Sequence, residues 1–254
     1  MKKHPLFKKL KTPSPKLLFL LDYDGTLTDF KKNPDHSRIS AATRSLLYRL
    51  RQKHPVILVS GRYVDSLIKV SGLKGFPMVG THGFEARNLP KGLRFASASL
   101  QKKFGREAQR LWKAVQVLNH RFPGIHIEHK PFSSTLHFRG LPFTSTQVKK
   151  LHQEFRSIYN GTVTRKLWKL QEGKKMIEVM PKGFSKGKSV RALLKHFPGR
   201  LPLYAGDDLS DISVFKVLGK RGLKIAIGGR IPRENQDLRF DSPEEFVHWL
   251  KSFI

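Results

Sequence analysis

Apolar positions along this chain fall into two patterns. Residues 17–21 form a short, continuous apolar run, the signature of a strand buried on both faces. Residues 56–59, 77–79, 201–205 and 223–227 repeat it. Between these runs the apolar spacing is helical. Residues 40–52 predict a helix with Ser40 as its N-cap, and 63–70, 186–196, 210–218 and 243–253 predict four more. Alternating strands and helices of this kind predict a parallel sheet covered on both faces.

The rhythm changes after about residue 88. A helix over 101–121 precedes two alternating segments, 125–129 and 135–139, that read as antiparallel, half-exposed strands. A helix over 146–159 and strands near 162–167 and 176–180 complete this section. The expected class is α/β, with a doubly wound parallel-sheet (Rossmann-like) core and an inserted α+β cap domain. The core is expected to comprise residues 17–88 and 180–254, and the cap 89–179. Residues 1–16, with Pro5, Pro13, Pro15 and a run of lysines, are expected to be a basic tail.

Composition narrows the chemistry. The 254 residues contain no cysteine, so disulfides, thiolate metal sites and cysteine nucleophiles are excluded. The apolar run at 17–21 is too short to span a bilayer or to serve as a signal-peptide core. A cytoplasmic protein with no membrane partner is expected. The formal net charge of +30 attracts nucleic acid, anionic lipid and anionic substrates alike. No nucleic-acid recognition motif or aromatic stacking pattern accompanies the lysines, so a generally basic surface without a specific nucleic-acid partner is expected.

The strongest chemical signal is Asp22-Tyr23-Asp24-Gly25-Thr26-Leu27-Thr28, directly after the first predicted strand. Ligands of parallel sheets collect at the carboxyl ends of strands. Two carboxylates one residue apart there need a cation, or a split in pKa, to coexist. Gly25 permits a sharp turn in which several amides could face an anion. Three further loops sit at predicted strand ends or helix starts. Ser60-Gly61-Arg62 offers a hydroxyl and a guanidinium to phosphate oxygens. Gly206-Asp207-Asp208-Leu209-Ser210-Asp211 is an acidic loop suited to a hard cation, or to helix capping. Lys186 opens a helix and could neutralise a phosphoryl group.

Asp22-x-Asp24-Gly-Thr, Ser60, Lys186 and Gly206-Asp207-Asp208-x-x-Asp211 occur in the order that resembles the haloacid dehalogenase superfamily of phosphatases. A narrower resemblance is to trehalose-6-phosphate phosphatases. It rests on Gly80-Thr81-His82-Gly83-Phe84-Glu85, on Glu128-His129-Lys130 followed by Leu136-His137-Phe138-Arg139, and on Ile177-Glu178-Val179 leading to Lys186-Gly187. The fourth motif reads Ser210-Asp211-Ile212 where that family usually continues Thr-Asp-Glu.

The resemblance implies a Mg²⁺-dependent phosphatase in which Asp22 is the nucleophile and Asp24 the acid and base. It implies Mg²⁺ on the Asp22 carboxylate, the Asp24 backbone carbonyl and Asp207, with Asp208 and Asp211 orienting from behind. Phosphate oxygens would meet Thr26, Ser60, Gly61 and Lys186. The sugar would meet Arg62, His82, Glu128, Lys130, Arg139 and Glu178. Alternating Glu128 and Lys130 also fit the polar face of a half-exposed strand, and His82 and His137 fit structural roles. Cap hinges are expected near 85–90 and 173–183, with Gly173 and Gly183 bending. A monomer acting on a small-molecule sugar phosphate is expected. The alternatives are another sugar phosphate or a phosphorylated glycosyl-glycerate as substrate, or a basic nucleic-acid-binding protein on an inactive phosphatase fold.

Overall fold

The computed structural model describes residues 16–31, 34–93, 95–172 and 175–254. The expected tail (Lys16 excepted) and the expected hinge residue Gly173 lie outside the described residues. In chain order the main elements are β1 (Leu17–Leu21), α1 (Ala41–Lys53), β2 (Val56–Val59), α2 (Val64–Ser71), β3 (Met78–Gly80) and β4 (Glu85–Arg87). Then follow α3 (Ala98–Val115), α4 (Leu118–Arg121), β5 (His126–Lys130), β6 (Ser133–His137), α5 (Ser145–Thr162), β7 (Trp168–Glu172) and β8 (Met176–Pro181). The chain closes with α6 (Lys186–His196), β9 (Leu201–Gly206), α7 (Ile212–Leu218), β10 (Leu223–Ile227), β11 (Leu238–Phe240) and α8 (Pro243–Leu250). None of the helices described is long and apolar enough to cross a membrane.

The chain forms two compact units. One ends at Phe95 and resumes over Phe184–Ile254; the other is Ala96–Gly183. The divisions fall later in sequence than the expected 88 and 179. Leu89, Leu93 and Phe95 pack on an apolar cluster of the first unit, and β8 remains a strand of the second unit's sheet up to Pro181.

The first unit holds a seven-stranded sheet in the order β11-β10-β9-β1-β2-β3-β4. All pairings are parallel except β3 with β4. β1 is central, and alternation sends its side chains to opposite faces. Phe19 and Leu21 join Leu47 and Leu50 of α1, Leu67 of α2 and Phe246 of α8. Leu18 and Leu20 join Val190 and Leu193 of α6 and Val214 and Phe215 of α7. Each such fully buried side chain contributes roughly 1.5–3 kcal/mol relative to exposure. The chain leaves β1 towards β2 on one side, while β9 pairs on the other. The carboxyl end of β1 is therefore a topological switch point, where an open α/β sheet forms a crevice.

β4 and β11 were not anticipated, because three residues are too few to display a period. β4 also makes the sheet mixed rather than purely parallel. The helix expected over 63–70 is α2, one residue later; the one expected over 101–121 divides into α3 and α4. The last predicted helix ends its α-helical part at Leu250 and finishes as a 3₁₀ turn.

The second unit holds an antiparallel sheet in the order β5-β6-β8-β7, backed by α3 and α5. Ser134 Oγ donates to the Ala108 carbonyl of α3, and the Phe104 ring lies 4.6 Å from that of Trp168. The strand expected near 162–167 is a misreading. Thr162 belongs to the last turn of α5, where its hydroxyl donates to the Ile158 carbonyl. Buried Glu107 then turns the chain, accepting from Thr164 N, Thr164 Oγ1 and Trp168 Nε1 at 2.9, 2.9 and 2.6 Å. The strand starts only at Trp168.

Candidate active site

Asp22 leaves the carboxyl end of β1 anchored by its amide, which donates to the Ala205 carbonyl of β9. Lys186, the first residue of α6, brings Nζ to 2.9 Å from Asp22 Oδ1 and 2.8 Å from Asp211 Oδ1. All three side chains are buried. Asp211 is saturated. Its Oδ1 also accepts from Tyr204 Oη at 2.6 Å, and its Oδ2 accepts from the amides of Asp207 and Asp208 at 3.1 and 3.0 Å.

Asp22, Asp207 and Asp211 each present an oxygen within 4.8 Å of the others. Crowding carboxylates away from water is costly. Burial, reinforced by Asp211 and Asp207 and opposed by Lys186, raises the Asp22 pKa well above the usual carboxylate range. Burial and the Asp211 charge push Asp207 up to about 7. Burial alone would lower the Lys186 pKa, but Asp211 and Asp22 outweigh it and keep the ammonium charged.

Gly25 has φ 74°, and a Cβ there would lie 2.3 Å from Asp207 Oδ2. Glycine thus serves both the left-handed turn and the approach of the acidic loop. Three amides of this turn bond within the turn itself. Gly25 N donates to the Thr28 carbonyl, and Thr26 N and Leu27 N donate to the Tyr23 carbonyl. The tight turn consumes these three donors. The Thr26 hydroxyl, in contrast, is buried with no hydrogen-bond partner among the described residues.

Asp24 is gripped by Arg62, whose Nε and Nη2 lie 2.6 and 2.7 Å from its two oxygens. Arg62, expected on the sugar, is engaged inside the first unit because a planar guanidinium matches a carboxylate in this paired geometry. Ser60 Oγ accepts from the Arg62 amide. A Cβ on Gly61 would meet the His82 ring at 2.8 Å, so the ring packs closely against this loop. Asp208 caps the 3₁₀ turn 209–211, accepting from Leu209 N. Ile212 opens α7 and packs on the apolar cluster beneath.

In the second unit, Lys130 Nζ lies 3.4 Å from Glu128 Oε2 and 3.9 Å from Glu178 Oε1, and His137 Nε2 lies 3.2 Å from Glu128 Oε2. Arg139 is exposed in the turn after β6 and has no ion-pair partner among the described residues.

A model of the family described as trehalose-phosphatase matches residues 20–236. This chain belongs to the trehalose-phosphatase family. A relative from Oryza sativa subsp. japonica, described as probable trehalose-phosphate phosphatase 4, is 27% identical over 273 residues, covering 100% of this chain and 72% of its own. The trehalose-phosphate phosphatase of Mycobacterium marinum is 28% identical over 237 residues, covering 90% of this chain and 56% of its own. The chain thus spans just over half of that relative's length. A solved structure titled trehalose-6-phosphate phosphatase related protein superposes with a TM-score of 0.75 at 24% identity, covering 92% of this chain and 96% of that one. At that identity the likeness concerns the fold.

Within this trehalose-phosphatase family chain, the donors of the acidic cluster fit a hard cation. They are oxygens only, which suits Mg²⁺ or Ca²⁺ and not a soft metal. Asp211 already has four donors, which leaves Asp22 and Asp207 as the carboxylates with spare capacity. One residue of the cluster escaped the sequence reading. Tyr204 lies in an apolar strand and gave no signal; register brings its hydroxyl to Asp211. Glu85 accepts from Thr81 Oγ1 at 2.5 Å, and burial raises its pKa. That bond helps hold Thr81 and His82 at φ 47° and 54°, a left-handed backbone that side chains rarely adopt.

Proposed function

We propose that this chain hydrolyses trehalose 6-phosphate to trehalose and phosphate through an aspartyl-phosphate on Asp22. The observation that carries the reading is the buried Asp22–Lys186–Asp211 chain with Asp207 beside it at the switch point of the sheet. It supplies a nucleophile, a fixed positive charge and a place for a cation. The family match supports the phosphatase, and the names of the relatives support the sugar.

An Asp22 oxygen attacks phosphorus as the bond to the sugar oxygen breaks, dividing one hard displacement into two. Asp24 gives a proton to the departing oxygen and later takes one from the attacking water. Arg62 donates once to each Asp24 oxygen, and each oxygen keeps a second lone pair, so the guanidinium can hold the carboxylate in place for these transfers. Lys186, Ser60, Gly61 and the buried Thr26 hydroxyl are assigned to the phosphoryl oxygens. Asp22 and Asp207, with the Asp24 carbonyl, would hold Mg²⁺, which when bound offsets repulsion between nucleophile and phosphate. Asp211 and Asp208 orient the acidic loop and Lys186. Glu128, Lys130, Glu178 and His82 are assigned to sugar hydroxyls. A cytoplasmic setting belongs to the same reading, supported by the lack of cysteine.

The test is phosphate release from trehalose 6-phosphate beside a panel of other sugar phosphates, with Mg²⁺ and after chelation. Trehalose 6-phosphate should be preferred, and chelation should stop turnover. A stronger preference for another phosphomonoester would overturn the sugar; undiminished turnover after exhaustive chelation would overturn the metal.

A further inference from the structure

Thr135 occupies the middle of a cross-strand row in the second unit. It stands opposite Glu128 of β5 on one side and Glu178 of β8 on the other, and Gln171 of β7 extends the row. Directly opposed residues share a face of a sheet. The intervening Ser134 takes the other face, where its hydroxyl reaches α3. Thr135 therefore lies on the face away from the helices, between two carboxylates. Lys130 Nζ approaches both of those carboxylates, bridging the strands that flank β6.

Thr135 is 1% exposed, and its hydroxyl has no hydrogen-bond partner among the described residues. Buried hydroxyls nearly always find one, because leaving them unpaired is unfavourable. Valine would occupy a strand position equally well without that penalty. The hydroxyl is thus unexplained by folding, and it sits inside a cluster whose other members are hydrogen-bonding groups. Two carboxylates accept, an ammonium donates, and a hydroxyl does both. That mixture complements adjacent hydroxyls of a polyol, each of which also donates and accepts. The Lys130 bridge is partly exposed, at 3.4 and 3.9 Å, so a ligand's hydroxyls can exchange for it.

We infer that Thr135 is a specificity-determining residue whose hydroxyl bonds a sugar hydroxyl of the substrate, completing the Glu128–Lys130–Glu178 cluster. The inference rests on the reading of this chain as a sugar-phosphate phosphatase.

Thr135→Val and Thr135→Ser separate this role from a structural one. Thr135→Val should lower kcat/KM for trehalose 6-phosphate about ten-fold, the scale of one neutral hydrogen bond. It should leave kcat/KM for p-nitrophenyl phosphate unchanged and should not lower Tm. Thr135→Ser should retain most of the sugar preference. An equal fall on both substrates, no change on the sugar phosphate, or a lower Tm in Thr135→Val that Thr135→Ser restores would each overturn the inference. If Thr135→Val does not fold, the same ratio is read from Thr135→Ala. Wild-type protein that hydrolyses p-nitrophenyl phosphate yet prefers another sugar phosphate would refute only the trehalose assignment. The Thr135→Val ratio on that preferred sugar would then decide the inference.

Discussion

Arg62 holds both carboxylate oxygens of Asp24 while its third nitrogen donates to Ser66 Oγ at 3.3 Å. Three bonds fix one guanidinium, and the Ser60 hydroxyl fixes its backbone amide. The loop after β2 thereby aims the carboxylate of the loop after β1. A lysine has no planar fork and cannot reproduce this geometry. Arg62→Lys should therefore lower kcat/KM by roughly 10²-fold, at the low end of what an acid–base group supplies. Steady-state kinetics on folded protein check this; an undiminished rate would show that Asp24 works without its clamp.

Asp22 is the group on which the chemistry rests. Asp22→Asn keeps size and burial but has no anionic oxygen for attack. Turnover should fall by roughly 10⁴-fold or more, the scale seen when a nucleophile is removed. Circular dichroism should show an intact fold. Substantial remaining activity in protein free of wild-type contamination would rule out an aspartyl-phosphate.

Gly25 couples the nucleophile loop to Asp207. A Cβ there meets the Asp207 carboxylate and forces a side chain into a left-handed backbone. The backbone conformation alone should cost Gly25→Ala about 1–2 kcal/mol. Urea denaturation should show that loss. Isothermal titration should show weakened Mg²⁺ binding, because Asp207 must move.

Glu128 supplies a pH dependence. Burial would raise its pKa, but the hydrogen bond from His137 and the Lys130 charge outweigh this and lower it to about 2. A carboxylate lowered in the folded state contributes stability above its unfolded pKa of 4.5 and loses it as pH falls through about 2. Glu128→Gln lacks that contribution. The stability gap between wild type and Glu128→Gln should be present at pH 7, shrink below pH 4.5 and close near pH 2. The gap should be modest, since the ion pairs are partly exposed. Denaturation midpoints across that range test it; a constant gap would mean that Glu128 carries no such linkage.

The chain's periodicity by itself determined most of the architecture. Five apolar runs became β1, β2, β3, β9 and β10 because a strand covered on both faces must be apolar throughout. The position of Asp22 and Asp207 at strand ends was equally legible, since a charged residue ending such a run has to lie where the sheet opens. β4 and β11 stayed hidden because three residues carry no period. The stretch 162–167 misled because its β-branched residues look extended, while Glu107, far away in sequence, decides the turn. Only the tertiary structure could show that Arg62 faces Asp24, that Tyr204 reaches Asp211, and that Thr135 lies between Glu128 and Glu178. Local spacing records which face a residue takes; hydrogen bonds between distant elements depend on register and packing, which no single segment encodes.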